Sequence, residues 1–244
     1  MDIKEKTALI TGAAKRIGRQ IAVRLAERGV NILLHYHLSK DDAAKTAQYI
    51  RALGVRCEPV QADLSKTKSI QKMLKAVTSF EPDIQILINS ASAFYATPLP
   101  KAREEDMDLF YSTNLKAPFT LSKELGLRMA ASAGGGRIVN IADWSAFRPY
   151  KDHAPYCASK GGLVTLTKAL ARDLAPRVLV NAIAPGPMLK PPDMDAEEAK
   201  KIASLTALGR WGSPDDIASA AVFLAESDYI NGTVLVVDGG RSIV

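Results

Sequence analysis

The stretch Thr11-Gly12-Ala13-Ala14-Lys15-Arg16-Ile17-Gly18 decides the fold of this 244-residue chain. It follows a short apolar run over 7–10 and leads into an amphipathic pattern over 16–28. The sequence therefore predicts a strand, a glycine-containing turn and a helix. Such a turn lets backbone N–H groups and the positive end of a helix dipole meet a pyrophosphate. Because similar turns also occur for structural reasons alone, later segments must decide between the two interpretations.

Strand and helix patterns alternate along the rest of the chain. Strands are predicted at 7–10, 30–36, 55–61, 84–89, 137–142, 177–184 and 233–237. Helices are predicted at 16–28, 40–53, 66–80, 106–131, 154–175 and 214–226. Continuous apolar strands are typical of a parallel sheet covered on both faces. We therefore predict a single α/β domain over 1–244, a Rossmann-type doubly wound parallel sheet of about seven strands in the order 3-2-1-4-5-6-7.

One proline-rich segment interrupts this alternation. Pro185-Gly186-Pro187-Met188 follows the sixth predicted strand, and a short helical piece follows at 196–205. Because ligands bind at the carboxyl ends of parallel strands, we interpret 185–210 as a substrate lid, with a plain surface loop as the alternative.

Composition narrows the class of protein. Hydrophobic residues make up 47% of the chain, enough for a well-buried core, and no apolar run is long enough to span a membrane. The formal net charge of +6 comes from dispersed basic residues, which favours a solvated surface over a nucleic-acid site. The N-terminal residues show no apolar signal region, and Cys57 and Cys157 lie far apart. We therefore expect a cytoplasmic protein with free thiols and no metal site.

A phenol and an ammonium share one predicted helix face, since Tyr156 and Lys160 are four residues apart. A nearby ammonium lowers the pKa of a tyrosine, which makes the phenol a useful proton donor or acceptor. Alone, such a pair is also common surface decoration. Here it follows the strand that ends at Asp143, so both should face the same crevice.

This ordered set resembles the short-chain dehydrogenase/reductase family over essentially the whole chain. The matching positions are the turn at 11–18, Asp63, Asn89-Ser90-Ala91, Asn114, Tyr156, Lys160, Pro185-Gly186 and 237–240. The resemblance implies that Tyr156 is the catalytic acid, that Lys160 lowers its pKa and binds the nicotinamide ribose, and that Asn114 holds a water. It implies cofactor contacts for Asp63, Leu64, Asn89, Ala91 and Ser92, and a homotetramer. Simpler alternatives are a helix cap for Asp63 and a structural hydrogen bond for Asn114.

Asp143 stands where the family usually has a serine. A carboxylate there would repel the oxyanion formed from a ketone, and it suits a substrate with N–H donors. The alternative is that Ser145 replaces the serine after a small shift in register. Together with Arg16, the aromatic pair at 94–95 and the segment 35–39, Asp143 resembles the pteridine and dihydrofolate reductases. That resemblance implies a pterin or similar heterocycle bound by Ser92, Phe94, Asp143, Tyr156 and Met188, although Phe94 would also suit core packing.

The end of the second strand favours NADPH as the cofactor. An acidic residue that would bind ribose hydroxyls is absent between Val30 and Lys40, and the expected position holds Tyr36. Basic and hydroxyl groups that suit a 2′-phosphate are present instead: Lys15, Arg16, His37 and Ser39.

Three functions remain open from the sequence. The first is NADPH-dependent reduction of a C=N bond in a pterin-type substrate. The second is carbonyl reduction, such as that of a 3-oxoacyl-carrier-protein. The third is a cofactor-bound regulatory or scaffold protein without catalysis.

Overall fold

The computed structural model describes residues 1–190 and 194–244, and its sheet has the predicted architecture. Seven parallel strands lie in the order β3-β2-β1-β4-β5-β6-β7. Their bounds are β1 Thr7–Ile10, β2 Asn31–Tyr36, β3 Cys57–Gln61, β4 Ile86–Asn89, β5 Gly136–Ile141, β6 Val178–Pro185 and β7 Val234–Val237. Strand β1 pairs with both β2 and β4, so the strand order reverses there. A crevice opens at such a reversal, at the carboxyl ends of the strands.

Helices cover both faces of the sheet. Their bounds are α1 Arg16–Glu27, α2 Lys40–Ala52, α3 Thr67–Phe80, α4 Glu104–Tyr111, α5 Ala117–Ala131, α6 Ala154–Asp173, α7 Ala196–Ser204 and α8 Pro214–Glu226. One buried cluster joins α1, α2 and α8 to the sheet, with Ile21 and Ile217 among its members. A second joins α3, α5 and α6 to the other face, with Leu121 and Leu170 among its members. Every residue of β1, β4 and β5 is buried, as the apolar runs predicted.

The single helix predicted over 106–131 is wrong. A π-helical turn, Ser112–Lys116, separates α4 from α5. Pro118 lies in the first turn of α5 and has no N–H group, so it cannot donate to the carbonyl of Asn114 as a regular α-helix requires. The wider turn accommodates this loss, and π-turns of this kind are frequent at functional sites.

The segment after β6 packs closely against the body of the protein where it begins. A Cβ atom on Gly186 would lie 2.6 Å from the Cα atom of Asp238, so the turn needs glycine there. The backbone N–H of Gly212 donates to the carbonyl of Pro187 over 2.9 Å. Helix α7 follows with no buried residue. Residues 191–193 of the predicted lid lie outside the described residues.

Within the described part of the chain, none of the helices combines the length and apolar character that crossing a bilayer requires.

Candidate active site

The turn after β1 has the shape of a phosphate cradle. Gly12 has φ +66°, and a Cβ atom there would lie 2.9 Å from the Cα atom of Ala91. A Cβ atom on Gly18 would lie 2.3 Å from the carbonyl oxygen of Gly12. The Thr11 hydroxyl accepts hydrogen bonds from the N–H groups of Ser90 and Ala91, at 2.9 and 3.0 Å. The predicted Gly12 and Ala91 are thus in contact, and only glycine lets the backbone come so close.

His35 connects this turn to the neighbouring strands. Its Nδ1 accepts a hydrogen bond from the N–H of Gly12 over 3.1 Å, and its Nε2 lies 3.1 Å from the carbonyl oxygen of Ala62. These partners require the neutral ring with its proton on Nε2. Burial lowers the pKa of His35 to about 4. The imidazole therefore holds the glycine turn in place, a role that the sequence did not reveal.

This buried imidazole makes the stability of the protein sensitive to acid. The pKa is about 4 in the folded state, and an unfolded histidine titrates near 6.5, so the unfolded state binds more protons between these values. The free energy of unfolding should then fall by about 2 kcal/mol between pH 7.5 and pH 5 through this group alone. Urea unfolding of His35→Asn should show that much less pH dependence over the interval. Parallel pH dependence in both proteins would contradict the assignment.

Exposed basic groups surround the mouth of the turn. Lys15, Arg16 and His37 are exposed. Arg16 has φ +58°, a conformation that costs a non-glycine residue of the order of 1 kcal/mol. The chain therefore keeps a cation at a position where the backbone favours glycine.

Asp63 forms an ion pair with Lys66 and lies near His37. Its carboxylate is 3.1 Å from the Lys66 ammonium and 3.9 Å from His37 Nε2. Burial raises the pKa of Asp63, but hydrogen bonds from Ser65 and Lys66 outweigh it and leave the pKa below its usual value. Asp63 begins no helix, since the residue before α3 is Lys66, so the simple cap interpretation does not describe it.

The catalytic candidates converge at the end of β5. The Tyr156 hydroxyl donates to Asp143 Oδ2 over 2.9 Å. Asp143 is fixed by its other oxygen, which accepts from the N–H of Ser145 over 2.8 Å. One turn along α6, the ammonium of Lys160 donates to the carbonyl of Ile141 over 2.8 Å and lies 5.8 Å from the Tyr156 ring centroid. Tyr156, Lys160 and Asp143 are therefore brought together as the sequence predicted.

The protonation of this group differs from the sequence expectation. Burial, together with the charge and hydrogen bond of Asp143, raises the pKa of Tyr156 well above its usual value. The expected lowering of the Tyr156 pKa by Lys160 is wrong here, because burial and the hydrogen-bonded Asp143 carboxylate both raise it. Burial lowers the pKa of Lys160 to about 8, and the Asp143 carboxylate opposes that shift. Tyr156 consequently holds its proton across the neutral range.

Ser145 does not take the position of the missing serine. Its side chain is fully buried, and its hydroxyl oxygen has no hydrogen-bond partner among the described residues. Asp143, by contrast, is only partly buried and bonds directly to the phenol. The register-shift alternative therefore lacks geometric support.

Asn114 holds the loop after β4. Its Oδ1 accepts from the Ala93 N–H over 2.8 Å and from the Ser92 hydroxyl over 3.2 Å. Its Nδ2 donates to the Ala93 carbonyl and to the Ser159 hydroxyl, both over 3.1 Å. Every hydrogen-bonding position of the amide is thus taken by protein atoms. This geometry matches the structural alternative better than the expected water-holding role.

The predicted substrate residues separate into two groups. Ser92 and Phe94 are exposed on the loop after β4, and the Phe94 ring lies 4.8 Å from the Tyr156 ring at 74°. The core-packing alternative for Phe94 is thus excluded by its exposure of 58%. Met188 is only 7% exposed and belongs to the core cluster around α8, and the expected substrate contact for it stays a prediction.

The remaining residues predicted to contact the cofactor differ in how exposed their side chains are. Ile17, Tyr36 and Ser39 are partly exposed. Leu64 is buried in the core cluster of α3. Asn89 donates to the side chains of Asn140 and Ser122, at 2.8 and 3.2 Å, and its buried Oδ1 is unpartnered within the described residues.

Comparison with known proteins places this arrangement in a family. A family model described as enoyl-(acyl carrier protein) reductase matches residues 12–242. The chain belongs to the short-chain dehydrogenase/reductase family. A scaffold without catalysis is therefore set aside, because the chain is an NADP(H)-dependent reductase of this family.

Relatives within the short-chain dehydrogenase/reductase family cover the whole chain. The 3-oxoacyl-(acyl-carrier-protein) reductase FabG of Staphylococcus epidermidis is 35% identical over 242 residues, which cover 96% of this chain and 98% of the relative. The promiscuous reductase LugOII, which catalyses keto-reduction at C1 during lugdunomycin biosynthesis, is 29% identical with a TM-score of 0.91 and full coverage of both chains. A blue fluorescent protein from a metagenomic library, solved with NADPH, is 32% identical with a TM-score of 0.91, and the match covers 99% of this chain and 100% of that one.

Two features of this short-chain dehydrogenase/reductase site were missed from the sequence. One is the imidazole of His35 under the glycine turn, and the other is His153, which stacks on Phe94 with 5.1 Å between ring centroids. Both histidines lie near predicted site residues, but only the folded chain shows which rings meet. In agreement with the sequence, both cysteines are free. Among the described residues, no group of three or more His, Cys, Asp or Glu side chains is placed to hold a metal ion.

Proposed function

We propose that this protein is an NADPH-dependent reductase that transfers a hydride to a C=N bond of a flat, pterin-type heterocycle. One observation carries the proposal: the carboxylate of Asp143, not a serine hydroxyl, accepts the hydrogen bond of Tyr156 over 2.9 Å. Asp143 therefore offers a charged hydrogen-bond acceptor where a serine would offer a neutral hydrogen-bond donor.

The charge of Asp143 distinguishes between two kinds of substrate. Reduction of a ketone develops negative charge on oxygen, which a neighbouring carboxylate would destabilise. Reduction of a ring C=N bond develops basicity on nitrogen, and a pterin also presents N–H donors that a carboxylate accepts. Electrostatics at Asp143 thus favours the nitrogen heterocycle.

Tyr156, Asp143 and Lys160 have different roles in the proposed reaction. NADPH supplies the hydride when bound. Tyr156 holds the proton that passes to the ring nitrogen, and its raised pKa keeps the phenol protonated until then. Asp143 orients the phenol and accepts an N–H group of the substrate. The buried ammonium of Lys160 lies beside the phenol ring and stabilises negative charge left on its oxygen.

NADPH fits the residues around the glycine turn. The turn at Gly12 leaves no room for a side chain, as a backbone that cradles a pyrophosphate requires. Lys15, Arg16 and His37 are exposed where a 2′-phosphate would lie, and Asp63 is neutralised by Lys66. Charge and hydrogen bonds from these groups therefore favour the phosphorylated dinucleotide over NADH.

Substitution of Arg16 by glycine tests this preference. The Kd for NADPH should rise roughly tenfold and the Kd for NADH should change little, because only the former carries the 2′-phosphate. The free energy of unfolding should stay equal or rise, because glycine adopts φ +58° without strain. Isothermal titration with both dinucleotides makes the comparison. Lys75→Ala removes an equal charge from the exposed face of α3 and serves as the control; an equal loss in that variant would contradict a specific contact.

Carbonyl reduction is the second candidate. It is favoured by the relatives, since FabG and LugOII are named for reduction of 3-oxoacyl and keto groups. Those proteins share only about a third of their residues with this chain, so their substrates need not be its own. We therefore give Asp143, which stands where the family usually has a serine, more weight than the relatives' names in proposing the reaction. A 3-oxoacyl thioester is the natural probe for this alternative.

One assay distinguishes the two candidates. NADPH oxidation is followed with 7,8-dihydrobiopterin, dihydrofolate, a 3-oxoacyl thioester and a small ketone panel. We expect kcat/KM for a dihydropterin to exceed that for each carbonyl compound. Turnover of carbonyl compounds alone would establish the second candidate and reject the first.

Two further properties are part of the proposal. Exposed apolar side chains lie on α4 and α5, at Met107, Leu109, Tyr111, Phe119 and Leu127. We assign them to subunit contacts of a homotetramer, which light scattering at several protein concentrations would test. The segment 185–210 would act as a lid over the crevice.

A further inference from the structure

One face of the Phe94 ring is covered although the residue is exposed. Phe94 lies on the loop after β4, outside any helix or strand, and is 58% exposed. The imidazole of His153 nonetheless lies parallel to it, with 5.1 Å between centroids and 13° between ring planes. A parallel stack of this kind restricts how the phenyl ring can rotate.

His153 is itself held firmly by its surroundings. Its Nδ1 lies 2.8 Å from the carbonyl oxygen of Lys151, and the ring of Tyr150 meets it edge to face at 5.8 Å. Beside it, the carbonyl of Asp152 accepts a hydrogen bond of 2.6 Å from the N–H of Thr97, which joins the loop after β4 to the loop before α6. The imidazole is therefore fixed where the two loops meet.

The position of His153 also relates it to the proton donor. It is the residue immediately before α6, and Tyr156 follows three residues later on that helix. The Phe94 ring contacts the rings of both residues, with 5.1 Å to His153 and 4.8 Å to Tyr156 between centroids. Any ring that stacks on Phe94 is thereby set at a fixed position relative to the phenol.

We propose that His153 is a substrate-positioning residue that holds Phe94 in register with Tyr156, so that a flat heterocycle stacks on the exposed part of the phenyl ring. The inference rests on the proposed function, and it adds a determinant of specificity. A planar ring gains from a fixed stacking surface, whereas an aliphatic ketone gains little. His153 therefore biases the enzyme toward aromatic substrates without contacting the reacting atoms.

Four forms of the full-length protein test this role: wild type, His153→Ala, His153→Phe and Phe147→Ala. Phe147 is an exposed aromatic residue of the same loop without a ring contact in the described structure, so its variant is the matched control. His153→Ala should raise the KM for 7,8-dihydrobiopterin roughly three- to tenfold with a smaller change in kcat, because a stacked pair contributes a modest free energy. The Kd for NADPH should not change. His153→Phe should restore the KM, and Phe147→Ala should leave it unaltered.

A spectroscopic measurement checks the contact without any substrate. In protein with 13C-labelled phenylalanine rings, the Phe94 signals, assigned by their loss in Phe94→Leu, should shift in His153→Ala and not in Phe147→Ala. An unshifted Phe94 signal would overturn the inference. If wild type reduces dihydrobiopterin and His153→Ala has an unchanged KM, the inference fails and the proposed function stands. If wild type reduces no pterin, the proposed function fails and the inference falls with it.

Discussion

Replacement of Asp143 by alanine is expected to lower kcat for a dihydropterin by roughly 10²- to 10⁴-fold, the usual contribution of a group that handles protons in the transition state. The carboxylate bonds to the Tyr156 hydroxyl at 2.9 Å, so its loss removes both the orientation of the phenol and the acceptor for a substrate N–H. The Kd for NADPH should be nearly unchanged, because the glycine turn and its basic rim lie elsewhere. Single-turnover measurement of NADPH oxidation separates the chemical step from binding.

Two further substitutions make this test specific to the carboxylate. Ser145→Ala should alter kcat less than about threefold, because its buried hydroxyl has no partner among the described residues and removing it leaves no polar group unsatisfied. Asp143→Ser installs the residue usual in the family, and the ratio of ketone to pterin activity should rise. Full pterin reduction by Asp143→Ala, or a large loss in Ser145→Ala, would return the catalytic role to Ser145.

The Tyr156→Phe variant should lose a comparable factor, roughly 10²- to 10⁴-fold in kcat, because the proton donor is absent. The informative comparison is the double variant with Asp143→Ala. Two groups joined by a short hydrogen bond act as a unit, so the double variant should be about as slow as the slower single variant. Rates of all four proteins at saturating NADPH form the required cycle.

Additive losses in this cycle would contradict the paired role. If the fold-losses in kcat of the two single variants multiply in the double variant, Asp143 and Tyr156 act independently, and the hydrogen bond between them does not contribute to catalysis. Circular dichroism and the Kd for NADPH would confirm that each variant is folded and competent to bind its cofactor.

Much of the fold was predictable because its signals are local. The apolar strands, the helix periodicity and the turn at 11–18 predicted the sheet order that the structure has. The helix predicted over 106–131 was wrong because Pro118 breaks the regular hydrogen-bond pattern, and the π-helical turn that results depends on tertiary packing. A proline inside a helical pattern was the available signal for that interruption.

The site was predictable where spacing alone fixes the geometry. Tyr156 and Lys160 share a helix face, and Asp143 meets them because it follows the carboxyl end of β5. The direction of the Tyr156 pKa was not predictable, because it depends on burial and on which charge lies closer in the folded chain. The same holds for Met188, whose residue type suits both a binding site and a core.

Contacts between residues far apart in the chain could not be predicted from the sequence. His153 and Phe94 are 59 positions apart and have no pattern in common, yet their rings stack at 5.1 Å. His35 lies in β2, and its ring contacts the turn at Gly12 although the whole of α1 separates the two in the sequence. Both contacts form only when the folded sheet brings these distant parts of the chain to one edge.

The substrate class is tested most sharply by letting a pterin and a carbonyl compound compete for a labelled hydride. The wild-type protein is given NADPH carrying deuterium at the transferable position of C4, with equal concentrations of 7,8-dihydrobiopterin and a 3-oxoacyl thioester, and both products are analysed by mass spectrometry. Most of the label should appear on a ring carbon of the tetrahydropterin. Label found only in the hydroxyacyl product would contradict it.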